Sequence, residues 1–238
     1  MNVMIIMRKI RPIDLTVIFL TTNRLPQRWV DYHWDVLNTA RGQYPLISIS
    51  RTPLPGDNLI DTDIPGYRNI YRQLLRGAKV ATTEFIAVAE DDTLYPPAHF
   101  YFHRPAPDVF AYNNHRWALF TWGIPTYNIR QRLSNATLIA PRALTIAALE
   151  ERFARWPGES MPYNCVGELG RVRIERNLGV TSRVSEVVYS VPGVVQFNHD
   201  LGGEPRQREH RKSMGQIQAF DIPQWGRADE LVKRMGDL

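Results

Sequence analysis

Three short runs of mostly apolar residues, each running straight into a polar loop, limit what this chain can fold into. They are Leu15 to Leu20 (LTVIFL), Leu46 to Ser50 (LISIS) and Phe85 to Ala89 (FIAVA). Runs of this length, rich in β-branched residues and bounded by turn formers, read as strands. The stretches between them are long enough for helices. Gln27 to Thr39 can form one before Gly42. Tyr67 to Val80 carries Ile70, Leu74, Leu75 and Ala78 at helical spacing, with Arg68, Arg72 and Arg76 on another face. Strands alternating with helices predict an α/β fold with a mostly parallel central sheet flanked by helices.

In such a sheet ligands bind beyond the carboxyl ends of the strands. The loops Thr21-Thr22-Asn23-Arg24, Ser50-Arg51-Thr52 and Glu90-Asp91-Asp92 would all lie on that edge. The last gathers three carboxylates, whose mutual repulsion a divalent cation relieves. Carboxylate oxygens suit Mg²⁺ and Mn²⁺, which also bridge phosphate oxygens. Alternation along an extended chain would turn Glu90 and Asp92 one way and Asp91 the other. An acidic first turn of a helix is the competing explanation.

The second half is more mixed. Val109 to Tyr112 and Leu119 to Trp122 read as short strands around His115-Arg116, and Pro141 to Arg155 as an amphipathic helix with proline in its first turn. Val166 to Asn177 suits a helix or turn, and Val187 to Phe197 two strand-like runs split by Pro192-Gly193. The polar, basic stretch after Gly202 is expected to wrap the surface.

The 238 residues show no repeat or low-complexity linker, so one domain is expected. No apolar run reaches the ~20 residues of a membrane span. The opening MNVMIIMRKIRP lacks a cleavage site and reads as an edge strand or lead-in. The single cysteine, Cys165, has no His partner recognisable in the sequence; it reads as a structural thiol and fits a cytoplasmic location, the host cytoplasm if the chain is viral. A net charge of +5 and a pI of about 9.5 suit an anionic partner. Basic residues gather at Arg171, Arg173, Arg176 and Arg183, and at Arg206, Arg208, His210, Arg211 and Lys212.

LTVIFLTTNR followed by YRNIYRQLLRGAKVATTEFIAVAEDDTLYPP resembles the nucleotide-sugar half of GT-A glycosyltransferases. Glu90-Asp91-Asp92 stands where that family has its D-x-D-type metal motif, with Glu in place of the first Asp. SNATLIAPRALTIAALEERF is similar to the segment beside the acceptor site, CVGELGRVRIERNLGV to the stretch with the catalytic acid, and VPGVVQFNHD to the closing strand, where a His often completes the metal site. The resemblance implies one GT-A-like, Rossmann-like domain, with a nucleotide-sugar half at 12–112, an acceptor and catalytic half at 113–212 and a tail at 213–238.

It further implies roles. Glu90, Asp92 and His199 would hold Mn²⁺ or Mg²⁺ against the pyrophosphate of a nucleotide-sugar, a UDP-sugar above all, with Asp91 beside it. Thr21, Asn23, Arg24 and Arg51 would meet base and ribose, Arg72 or Lys79 would reach base or phosphate, and Arg206 and Arg208 would clamp the diphosphate. Glu168 is the expected base of an inverting transfer; Leu169 stands where the family often has Asp, which leaves Glu159 as its rival. Trp122, Tyr127, Trp156 and Tyr163 could wall the acceptor. The expected acceptor is a hydroxymethylpyrimidine in DNA, as for certain viral enzymes of this kind, or a saccharide or small metabolite. A metal-dependent nuclease or phosphohydrolase, and a nonenzymatic nucleic-acid-binding module, are the competing readings.

Overall fold

The computed structural model describes residues 13–121, 123–158, 160–162, 167–199 and 217–236. In chain order the elements are β1 (Leu15–Leu20), α1 (Gln27–Arg41), β2 (Leu46–Ser50), β3 (Asp57–Ile60), α2 (Tyr67–Val80), β4 (Phe85–Glu90), β5 (Thr93–Leu94) and α3 (Pro97–Tyr101). There follow β6 (Val109–Asn113), β7 (Arg116–Phe120), β8 (Tyr127–Ile129), a 3-10 turn at Asn135–Thr137, β9 (Leu138–Pro141) and α4 (Arg142–Arg155). The described chain continues through α5 (Val172–Leu178), β10 (Val184–Val188), β11 (Val194–Asn198), the two-residue strands β12 (Gln218–Ala219), β13 (Asp221–Ile222) and β14 (Gly226–Arg227), and α6 (Ala228–Met235).

The fold is mixed α/β around a seven-stranded sheet ordered β10-β6-β9-β4-β1-β2-β3. β1 pairs in parallel with both β2 and β4, β2 with β3 and β6 with β10; β9 is antiparallel to β4 and β6. Every residue of β1 is buried. That fits a strand covered on both faces, and it explains why the run reads as apolar throughout. On one face Leu37 and Ala40 of α1 pack with Leu15, Val17 and Phe19. On the other, Leu74 and Ala78 of α2 pack with Ile18 and Leu20. The buried residues of α1, Trp29, His33, Leu37 and Ala40, follow one helical stripe. Gly77 has a packing reason: a Cβ there would sit 2.7 Å from Ile18 Cγ2, so α2 can lie this close to β1 only without a side chain.

Helices α1 and α2 thus cover opposite faces. From β1 the chain goes to β2 on one side, and through β3 and α2 it returns to β4 on the other. The strand order reverses between β1 and β4, the place where open α/β sheets form a crevice at their carboxyl edge.

A second, five-stranded sheet, ordered β12-β8-β7-β11-β5, which the sequence reading did not foresee, stands beside the central sheet. The acidic loop leads directly into β5, whose Thr93 pairs with Gln196 of β11; Gln196 in turn lies beside Ala118 of β7, and Ala118 beside Asn128 of β8. Trp117, Leu119, Tyr127, Val195 and Phe197 turn to an apolar cluster shared with Trp29 and Leu231. By alternation the opposite face, carrying Arg116, Ala118, Asn128 and Gln196, is turned toward the crevice. Strand β3 was not anticipated, because its residues Asp57 to Ile60 are half-buried or exposed and lack an apolar run. Among the described residues no helix is long and apolar enough to cross a membrane.

Candidate functional site

The site forms where β1 and β4 end side by side, with Leu20 in register with Glu90. Thr21 donates its hydroxyl to Asp91 Oδ2 at 2.5 Å, and Asp91 also accepts the backbone N–H of Thr22. Trp29 donates Nε1 to the Asp91 carbonyl at 2.8 Å, and His33 donates Nε2 to the Thr93 carbonyl at 2.9 Å. Helix α1 therefore fixes the backbone of the acidic loop from beneath. Thr21, Asn23, Trp29, Trp34, Leu54 and Asp91 are among the residues lining a small pocket beside it.

Glu90 and Asp92 leave the chain toward the second sheet. Gln196 Nε2 stands 3.5 Å from Glu90 Oε2, and the same side chain bonds Asp92. Arg116 Nη1 donates to Gln196 Oε1 at 2.6 Å. Thr93 donates its hydroxyl to Asp92 Oδ1 at 2.9 Å, and His199 Nε2 lies 3.8 Å from Asp92 Oδ2. The Asp92 side chain is 18% exposed and that of His199 4%.

This packing shifts all three acids upward. Burial, then repulsion from Asp92 and Asp91, holds Glu90 well above the carboxylate range. Burial, then Asp92, pushes Asp91 up to about 6 against the Thr21 hydrogen bond. Burial pushes Asp92 up to about 6 against Thr93, Arg116 and Gln196. A divalent cation suits this donor set: carboxylate oxygens match Mn²⁺ or Mg²⁺, an added imidazole favours Mn²⁺ of the two, and the ion's charge offsets the repulsion. Among the described residues no three His, Cys, Asp or Glu side chains are placed together to hold a metal ion. The Asp92–His199 pair matches instead the open mode in which one or two protein groups and substrate phosphates share the ion.

The remaining expected residues divide. Asn23 sits at φ 53° and accepts the backbone N–H of Arg51 at 2.7 Å and of Thr52 at 3.1 Å, so its carbonyl ties the β1 loop to the β2 loop. Arg24 is exposed. Arg51 is held by Asp61, through the carbonyl at 3.1 Å and the carboxylate at 3.1 Å. Asp61 is buried and also accepts from Asn69, Gln73 and Arg76. Arg72 donates to the Gly158 carbonyl at 2.6 Å. Lys79 is corrected: it pairs with Glu150 at 2.6 Å in the last turn of α2, beside the start of β4 and so at the opposite edge of the sheet from the acids.

Glu168 enters on the α2 side. Its side chain is 12% exposed and accepts Arg171 Nη1 at 2.8 Å. Tyr71 and Tyr112 feel its charge, and Tyr112, near the end of β6, donates its hydroxyl to the Leu169 carbonyl at 2.9 Å. Tyr127 is corrected as an acceptor wall: it is fully buried and donates to the Gly226 carbonyl at 3.0 Å. Trp156 is tied to the Leu178 carbonyl at 2.8 Å and packs near Met161. Glu159, Arg206 and Arg208, with Trp122, Tyr163 and Cys165, lie outside the described residues.

The sequence reading gave no role to Trp29, His33, Asp61, Arg116 or Gln196. Only Gln196 left a signal, as an amide inside the apolar run VVQFN.

No family model matches this chain, and no curated protein does. Among solved structures it is similar to a glycosyltransferase involved in glycosylation of the major capsid of PBCV-1, at 10% identity and a TM-score of 0.46, over 82% of this chain and 97% of that one. It is also similar to the bifunctional IspDF of Campylobacter jejuni, at 10% identity and 0.39, over 74% of this chain and 49% of that one, so it spans about half of that protein. A third is a mutant Drosophila β-1,4-galactosyltransferase 7 in complex with manganese, UDP-Gal and xylobiose, at 11% identity and 0.40, over 92% of this chain and 79% of that one. At scores this low none of them carries a functional reading. That rests on the site.

Proposed function

We propose that this chain is a metal-dependent glycosyltransferase of the GT-A type, moving a sugar from a nucleoside-diphosphate sugar to an acceptor hydroxyl. The observation that carries the reading is the Asp92–His199 pair, 3.8 Å apart at the strand-order reversal, next to the Thr21–Asp91 bond that closes the β1 loop. Asp92 and His199, with Glu90 nearby, would hold Mn²⁺ or Mg²⁺ together with the donor phosphates, and that ion when bound would neutralise charge on the leaving diphosphate. The pocket beside Thr21, Asn23 and Trp29 would take the nucleoside end of the donor, with Arg24 contributing from the same loop.

Glu168 is the proposed base. It takes the proton of the acceptor hydroxyl as that oxygen forms its bond to the anomeric carbon. The bond from that carbon to the diphosphate oxygen breaks, and the nucleoside diphosphate leaves with the electron pair. Attack opposite the leaving group inverts the anomeric centre. Arg171, which donates to Glu168 at 2.8 Å, orients the carboxylate.

The test is to incubate the chain with Mn²⁺ and a panel of nucleotide-sugars and follow release of nucleoside diphosphate, with saccharides and hydroxymethylpyrimidine DNA as acceptors. Metal-dependent release that is lost in Asp92→Ala is expected. No release with any donor, or manganese-assisted UDP affinity unchanged in Asp92→Ala, overturns the reading.

A further inference from the structure

On the crevice-facing side of the second sheet three arginines gather, of which only Arg116 feels nearby carboxylates, Glu90 and Asp92. The Arg130 backbone N–H donates to the Arg116 carbonyl at 2.9 Å, so the two stand opposite each other on β7 and at the end of β8. Arg116 reaches on to the Arg132 carbonyl through Nη2 at 2.9 Å and to Gln196 through Nη1 at 2.6 Å. Its own side chain is nearly buried, and its Nε has no hydrogen-bond partner. Arg130 is half-buried with its guanidinium 5.5 Å from the Phe120 ring centre; Arg132 is exposed. Among the described residues none of the three is in ion-pair contact with a carboxylate. Glu90 and Asp92 act on Arg116 by direct charge attraction, outweighed by burial and by Arg130 and Arg132, and Gln196 lies between them.

Holding three like charges together costs free energy unless an anion joins them, and guanidinium forks match phosphate oxygens in pairs. The contact with the Phe120 ring restrains the Arg130 guanidinium in advance, which reduces the ordering cost of such a contact. The electrostatics agree. Burial, then Arg130 and Arg132, lowers Arg116 to about 10, and burial followed by Arg132 lowers Arg130. A bound anion reverses the like-charge part of each shift.

We propose that Arg130 and Arg132, backed by Arg116, bind a phosphate group on the flank of the crevice opposite the β1 loop. The proposal rests on the glycosyltransferase reading only for the source of that phosphate: the donor diphosphate, or a phosphorylated acceptor. Arg116 is a positioning residue, and Arg130 and Arg132 supply the contacts.

Calorimetry of the full chain with inorganic pyrophosphate in EDTA tests the site apart from any metal. R130Q/R132Q is expected to weaken binding by about tenfold or more, and the exposed-position variant R132Q by a smaller factor, whereas R173Q on α5 binds as the unaltered chain does. Undiminished pyrophosphate affinity in R130Q/R132Q overturns the proposal; if that variant does not fold, undiminished affinity in R132Q and R132E does so. Titrating UDP with Mn²⁺ separates the sources. A parallel loss of UDP affinity in R132Q assigns the phosphate to the donor. Unchanged UDP affinity, with loss of inorganic phosphate binding to the UDP-saturated chain, assigns it to the acceptor. Failure of every nucleotide-sugar to turn over would sink glycosyl transfer while leaving the pyrophosphate result intact.

Discussion

Thr21 and Asp91 join the ends of β1 and β4 through a 2.5 Å hydrogen bond at the point where the strand order of the sheet reverses. The same Thr21 hydroxyl accepts the Asn23 N–H at 3.0 Å, and Asn23 in turn holds the backbone of Arg51 and Thr52. Three loops from β1, β2 and β4 are thus one hydrogen-bonded unit. Thr21→Val keeps the shape and removes both bonds, so it should lower stability by about 1–3 kcal/mol, whereas Thr21→Ser should recover most of it. Urea denaturation of the two variants decides; equal stability of Thr21→Val and the unaltered chain would show that the bond is idle.

Glu168→Gln should reduce turnover by about 10²–10⁴-fold while leaving UDP affinity within about twofold, because a base acts on the acceptor rather than on the nucleotide. Single-turnover kinetics alongside UDP calorimetry separate the two effects. Unchanged turnover in Glu168→Gln removes it as the base.

Asp61 carries the opposite kind of role, with one carboxylate satisfying Arg51, Arg76, Asn69 and Gln73. Asp61→Ala strands those donors and should cost about 3–5 kcal/mol. Asp61→Asn keeps an acceptor and should cost less. Chemical denaturation of both variants measures the difference; a mild Asp61→Ala would mean that the arginines find other partners.

His99 gives the stability a pH signature. It is fully buried against Tyr95 and Phe100, and accepts Asn113 Nδ2 at Nδ1. Burial lowers its pKa from 6.5 to about 3. The unfolded chain therefore takes up a proton that the folded chain refuses. The contribution of neutral His99 is complete above pH 6.5 and is lost as pH falls toward 3, at about 1.4 kcal/mol per pH unit within that window. His99→Gln should flatten the pH dependence of the urea midpoint between pH 6 and about 4 by that slope. Identical slopes in the two proteins would contradict the assignment.

The central sheet was legible because its signals are local. Leu15 to Leu20, Leu46 to Ser50 and Phe85 to Ala89 each announce a buried strand, and the predicted helices begin and end within a few residues of α1, α2 and α4. The acidic loop was equally readable, since Glu90, Asp91 and Asp92 follow a strand that could only deliver them to the sheet edge. Arg72 and Lys79 show where such reading stops. Both sit on a correctly anticipated helix, but which end of α2 approaches the crevice depends on the antiparallel return of the chain to β4.

The alternation of apolar and polar residues, with the turn formers between, determined by itself that this chain makes a mostly parallel α/β sheet and where its carboxylates emerge. Tertiary structure alone decided what surrounds them. Gln196 meets Glu90 across 106 residues of chain, Asp61 locks Arg51, and three arginines of the second sheet converge beside the acids. The reason is physical. Periodicity records which face of an element is buried, and carries no term for the distant side chain that buries it.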